Sequence, residues 1–208
     1  PVYILDDANA GDHRMGGASR WWLHHSLTAL NQALDGKLIV LSGNPAEILG
    51  NLADAVAAAG LSWNRAYDPW RITRDAAIKG QCAARGLVVE SHNGSLLWEP
   101  WDVLKNDGTP YKVFTPYYRR GCLAAAAPRR PLPVPPNLAI ADGDGFATGQ
   151  SAIDALGLLP ERDWKDGLAA IWDIGEAAAH DRLYAFLDDG LDGYKDGRNF
   201  PAKRNVSR

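Results

Sequence analysis

Two cysteines in 208 residues, Cys82 and Cys122, stand far apart with no second cysteine near either. This spacing excludes a disulfide scaffold, a CxxC redox pair and a cysteine zinc site, and it reads as two buried thiols. No apolar run approaches the roughly 18 residues a membrane span needs, and the N-terminus lacks a charged region followed by an apolar stretch and a cleavage site. The chain reads as a soluble, cytoplasmic protein without a membrane partner. Several chemistries lack their signatures too: there is no Walker loop, no GxSxG elbow and no HxE with CxxC, which takes away most of the common hydrolase and deaminase classes. Neither charge sign dominates, since 22 Lys and Arg face 25 Asp and Glu, a net charge of -3. With 46% hydrophobic residues the composition is that of an ordinary folded protein able to bury a core.

The first hundred residues alternate two periods. Short apolar or β-branched runs at Val2 to Leu5, Leu38 to Leu41, Leu61 to Trp63 and Leu87 to Val89 are separated by longer helical patterns. That alternation predicts an α/β fold with a parallel sheet. The first helix is expected from a cap at Ser19 to a stop near Gly36, with Trp21 and Trp22 in its core stripe. The second has Asn44 as cap, Pro45 at its first position and Gly60 as its stop; the third runs from Pro69 to about Arg85 and ends at Gly86. After Gly94 the alternation fades into irregular structure that ends in a helix near Tyr117. Five prolines between Pro128 and Pro136 force an extended connector. Beyond it, a loose stretch to Gly167 leads to an amphipathic helix carrying Glu176, Ala179, Leu183, Phe186 and Leu187, then to a basic tail with Lys195, Arg198, Lys203, Arg204 and Arg208. That tail suits phosphate or simply solvent. The chain opens on a strand without Met and stops after a charged loop, so both ends look cut.

Other clusters read as structure. Gly143 to Gly149 has the wrong spacing for a dinucleotide loop and reads as surface loop. The run Asp188, Asp189, Asp192 and Asp196 lacks the closing glutamate of a calcium loop. His24 and His25 have no partner at the i+4 position and read as packing or surface residues. Eight tryptophans are many for this length. Trp63, Trp70, Trp98 and Trp101, each beside charge or turn residues, suit either a flat aromatic ligand or a sheet-to-helix interface.

Gly17-Ala18-Ser19-Arg20-Trp21-Trp22-Leu23, Trp63-Asn64-Arg65-Ala66-Tyr67-Asp68-Pro69 with Arg74-Asp75, and Asn93-Gly94-Ser95-Leu96-Leu97-Trp98-Glu99-Pro100-Trp101 together resemble the N-terminal half of the DNA photolyase and cryptochrome family. Lys112-Val113-Phe114-Thr115-Pro116 resembles a further family segment, and Trp172-Asp173-Ile174-Gly175-Glu176 with Leu183, Phe186, Tyr194, Arg198 and Pro201 resembles the entry to the family's flavin domain. Residues 121 to 165 carry no match. The resemblance implies a flavoprotein with FAD and an antenna chromophore, acting as a light-driven lyase that repairs pyrimidine dimers in damaged DNA, as a monomer. Its implied layout is a Rossmann-like antenna domain at 1–125 lacking its first strand, a linker at 126–165, and the start of an all-α FAD-binding domain at 166–208. Tyr194, Ser207 and Arg208 match FAD-contacting positions, with Val206 in place of a threonine, and Arg198 matches a position near the DNA backbone. Met15, Arg65, Tyr67 and Asp68 fall where the antenna is held. Trp70 and Arg71 replace the polar and acidic pair that some members use for a folate, which leaves a deazaflavin, a flavin, a folate held otherwise, or an empty site. A cryptochrome-like light sensor and a nucleotide-binding α/β module without photochemistry are the alternatives, and the isolated polypeptide is expected to be inactive.

Overall fold

A computed structural model describes residues 1–143 and 145–203. The strand and helix alternation is present: β1 (Val2–Leu5), α1 (Gly17–Ala33), β2 (Ile39–Ser42), α2 (Pro45–Ala55), β3 (Gly60–Asn64), α3 (Pro69–Ala84) and β4 (Val88–His92) follow one another, with β1 parallel to β2 and β3 parallel to β4. Short elements follow, namely α4 (Phe114–Pro116), a π-helical turn (Tyr117–Cys122), α5 (Gly149–Asp154), α6 (Lys165–Ala169), α7 (Glu176–Ala185) and α8 (Tyr194–Gly197). The chain divides into two compact units, one made of Pro1–Gly43 with the segment from Ala139 onward, the other of Asn44–Leu138.

In the first unit, β1 and β2 pair from Val2 opposite Ile39 to Leu5 opposite Ser42. Leu5, Leu27, Leu38, Val40, Ala152, Ile153 and Leu158 form its core, with Met15, Leu23 and Leu34 packed against it. Helix α1 begins at Gly17 rather than after Ser19, because Gly16 adopts the extended cap conformation and Arg20 is drawn back to the Met15 carbonyl (3.0 Å) and the Asp7 carboxylate (2.5 Å). It ends where expected, with Gly36 at φ +77° in the left-handed region. Trp21 is buried but Trp22 is 41% exposed. Neighbours on a helix point about 100° apart, and here only Trp21 falls on the side that meets the core.

The part of the Gly143 to Gly149 sequence that holds Ala147 and Thr148 is more than a surface loop. Val40 donates its backbone N–H to the Ala147 carbonyl (3.0 Å), and Thr148 bridges Ile39 in antiparallel fashion. This backbone lines the free side of β2 and delivers α5, whose Ile153 is fully buried, so the stretch expected to be loose is a core element. Farther on, α7 exposes Leu183, and Leu187 beyond it is exposed as well. The apolar stripe anticipated there faces outward in this unit.

The second unit holds β3 and β4, paired from Gly60 opposite Val88 to Asn64 opposite His92, with α2 and α3 packed together. Asn44 caps α2 as expected: its Oδ1 accepts from the Ala46 N–H (3.2 Å) while its Nδ2 donates to Glu47 (2.9 Å). The helix ends well before Gly60. Val56 is its C-cap and Ala57 turns into the left-handed region at φ +47°. Gly60 instead opens β3, where an added Cβ would lie 2.7 Å from the Val88 carbonyl oxygen; glycine there permits the close strand approach. The proline-rich stretch from 127 to 135 has no regular structure, with Leu132 and Val134 in solvent.

Candidate functional site

In an open parallel pair, the loops that leave the carboxyl ends of the strands converge, and ligands bind there. In the second unit that place is occupied by the residues following β3 and β4. Arg65 continues the ladder by donating its N–H to the His92 carbonyl (2.9 Å). Its guanidinium turns inward, with Nη2 on the Ser91 carbonyl (2.6 Å) and Nη1 on Glu99 Oε1, while Cζ lies 5.5 Å from the centre of the Trp101 ring. Tyr67 donates its hydroxyl to the other oxygen of the same carboxylate (2.8 Å). The Glu99 N–H is in turn held by Asp102 (3.0 Å). Glu99 is 6% exposed, so this carboxylate is a buried anion whose two oxygens are each met by a donor, as burial demands. Partial desolvation, then the bond to Glu99, pushes the Tyr67 hydroxyl above the usual phenol range, with Arg65 opposing.

A second network stands beside it. Asp75 accepts from Arg74 on one oxygen (2.7 and 2.9 Å) and from the Trp63 indole on the other (3.1 Å). Lys79 lies over the Trp63 ring at 5.6 Å and donates to the Ser91 hydroxyl (2.6 Å). Trp70 is flanked by the guanidinia of Arg71 and Arg74, at 5.2 and 5.1 Å. Of the four tryptophans that suited either a ligand or packing, Trp63 and Trp70 are engaged by cations and Trp98 donates to the Ala126 carbonyl (2.8 Å). Trp101 keeps 57% of its surface in solvent. The arrangement is a fixed, hydrogen-bonded floor with an exposed indole at its rim. It holds no nucleophile poised against a base, and no cluster of metal ligands occurs among the described residues.

Arg65 and Tyr67 are thus brought together. Asp68 stands next to them as the N-cap residue of α3, its carboxylate 3.5 Å from Arg71. Met15 belongs to the first unit, where it packs against the core. The residue that joins Arg65 to Tyr67, Glu99, was not singled out from the sequence as a site residue, since its partners precede it by 34 and 32 positions and no local pattern announces them.

In the first unit, Tyr194 opens α8 with its ring edge-on to Phe186 at 5.7 Å, and Arg198 places its guanidinium 5.5 Å over the Tyr194 ring. Ser207 and Arg208, with Val206, lie outside the described residues. The same unit has a cleft of about 270 Å³ lined by Trp21, His25, Gln32, Trp172 and Asp173 among others. Burial, and secondarily the neighbouring His24, holds His25 below the usual histidine range. His24 is itself buried, with Nε2 3.8 Å from Asp154. No helix among the described residues is long and apolar enough to cross a membrane.

Residues 1–137 match the family model described as DNA photolyase. The whole chain aligns with the deoxyribodipyrimidine photo-lyase of Agrobacterium fabrum at 38% identity, covering 43% of that protein. Cryptochrome-2 of Arabidopsis thaliana is 30% identical over 93% of the chain and 32% of its own length. Among solved structures, a class III photolyase from Agrobacterium tumefaciens superposes with a TM-score of 0.78 at 36% identity, over 99% of this chain and 42% of that one. The chain spans less than half the length of these relatives.

Proposed function

The chain belongs to the DNA photolyase family, and from that membership we propose that it is the front portion of a light-driven repair enzyme that splits cyclobutane pyrimidine dimers in damaged DNA. The observation that carries the reading is the identity with a photo-lyase along the entire chain, higher than that with the plant cryptochromes. In this reading residues 1–125 form the antenna domain, 126–165 the linker, and 166–208 the start of the flavin-binding domain of a cytoplasmic, monomeric protein.

FAD, when bound, supplies the light-driven electron donor for dimer splitting. This chain's own residues bind and orient. The Tyr194 ring and the Arg198 guanidinium against it offer one wall to the flavin and a cation to the DNA backbone, with Ser207 and Arg208 assigned to the flavin's phosphate side. At the antenna site of the second unit, Arg65, Tyr67 and Glu99 form a polar floor, Asp68 flanks it, and Trp101 offers its exposed ring to a flat chromophore; Met15, which packs against the core of the first unit, is given no part in it. Because Trp70 and Arg71 stand where some members hold a folate with a polar and an acidic residue, a folate held in that manner does not suit the site, and a deazaflavin or a flavin is the reading.

The test uses the protein encoded by the complete reading frame that contains this chain, purified with its chromophores. Illuminated with a dimer-containing oligonucleotide, it restores thymine absorbance, and the dark control does not. Flavin photoreduction with no restoration of thymine would overturn the repair reading in favour of a cryptochrome-like sensor.

A further inference from the structure

From Gly108 to Ala141 the sequence holds Lys112, Arg119, Arg120, Arg129 and Arg130 and not one Asp or Glu, within a chain whose net charge is -3. All five cations are exposed, and none of them forms an ion pair among the described residues. Unpaired like charges repel, and a surface that concentrates them without counter-charge is an electrostatic footprint for a polyanion.

The same stretch presents bare aromatic rings. Phe114 and Tyr118 stack at 5.9 Å with their planes 6° apart, yet Phe114 is 72% and Tyr118 46% exposed, so most of the Phe114 ring meets water. Lys112 lies two residues before this pair, and Arg119 and Arg120 follow it directly. The platform is anchored beneath. Gly121 and Cys122 are buried, and the backbone at Gly121 runs so close to Val103 that an added Cβ would lie 2.5 Å from Cγ1. The Ala126 carbonyl is fixed by the Trp98 indole N–H.

We propose that the surface built by Lys112, Phe114, Tyr118, Arg119 and Arg120 docks a single-stranded nucleic acid. The bases stack on the Phe114–Tyr118 pair, and the backbone phosphates meet the cations. Rigid exposed rings interleaved with unpaired cations are the combination that single strands require, because every base has a face to stack while its phosphates track the positive charge. A lipid surface would use the charge but has no need of coplanar rings. The unit that carries this surface is separate from the one that carries Tyr194 and Arg198, and the inference needs neither flavin nor lesion.

Fluorescence anisotropy of labelled oligo-dT, titrated in the dark with the 208-residue chain between about 50 and 200 mM salt, tests it. The chain is expected to bind, Arg119→Glu with Arg120→Glu to weaken binding by at least ~10-fold and to lower the salt slope by ~1.4, and Phe114→Ala to weaken it by ~5-fold or more with the slope unchanged. These side chains are exposed, so far-UV circular dichroism should be unaltered; should the arginine variant misfold, Lys112→Glu provides an independent loss of charge with the same expected sign. Absence of binding by the parent chain overturns the proposal, as does equal binding by the charge-reversed and Phe114→Ala variants. Binding to phosphatidylserine vesicles with none to oligo-dT overturns it in favour of a lipid partner.

Discussion

Replacing Glu99 by glutamine removes the one charge on which Arg65 and Tyr67 converge. The side chain of Glu99 is 7% exposed and that of Arg65 is 31% exposed. Removing one partner of a fully buried ion pair costs ~3–5 kcal/mol, but Arg65 keeps nearly a third of its surface in water, which moves the cost toward the ~1.5–3 kcal/mol of a hydrogen bond to a charged group. Glutamine retains one acceptor oxygen, so one of the two donors stays paired while the other meets an amide NH₂. A loss of ~2 kcal/mol follows, which in a chain of this size lowers the melting temperature by ~4–8 °C. Thermal unfolding followed by far-UV circular dichroism measures it. A double-mutant cycle with Arg65→Ala and Glu99→Ala should give a coupling of ~1–3 kcal/mol, whereas Lys105→Ala, which breaks an exposed pair with Asp107, should change stability by under ~1 kcal/mol. A shift for Glu99→Gln no larger than that of Lys105→Ala would refute the view that the buried carboxylate organises the site.

Asp107 accepts from the hydroxyl and the N–H of Thr109, which lower its carboxyl from 3.8 to about 2; the stability it confers is present above the unfolded value and is lost as pH falls toward about 2. Thr109→Val, which removes the hydroxyl donor, should raise that pKa in a carboxyl-detected NMR titration. His25 holds its proton less tightly folded than unfolded, so it costs stability as pH falls below 6.5. In His24→Ala an NMR titration should find His25 moved only part of the way back, since burial is the larger cause. Ile153→Ala empties a fully buried position and should cost ~2–5 kcal/mol in a denaturant melt.

The strand and helix order was legible because each boundary carries its own local chemistry. Asn44 before Pro45, Pro69 after Asp68, and Gly36 and Gly86 in left-handed turns act within a few residues of themselves. What was not legible depends on distance. The six-residue α5 is too short to establish a period, yet its Ile153 packs with Leu5, Leu27, Leu38 and Val40, all more than a hundred positions earlier. Trp21 and Trp22 show that a motif shared with a family does not say which member faces inward. The resemblance pointed to Arg65 and Tyr67, which the structure does bring together, but their joint partner Glu99 is joined to them only by the fold. Gly60 read as a helix stop because glycine signals an ending in many contexts, whereas here its missing side chain is what lets β3 approach β4.

The unit built from Pro1–Gly43 and the segment after Ala139 is discontinuous, while Asn44–Leu138 is a single uninterrupted stretch. Translation therefore finishes the two in the opposite order to that in which it starts them. When Leu138 leaves the ribosome the inner stretch has all of its residues and is free to fold as a unit. The earlier strands β1 and β2 must still wait for Ala147 and Ile153 before their edge is lined and their core is filled. During that interval Leu5, Leu27 and Val40 remain uncovered, which makes the earlier-made strands of this chain later to be protected from aggregation and proteolysis than the inner stretch that follows them.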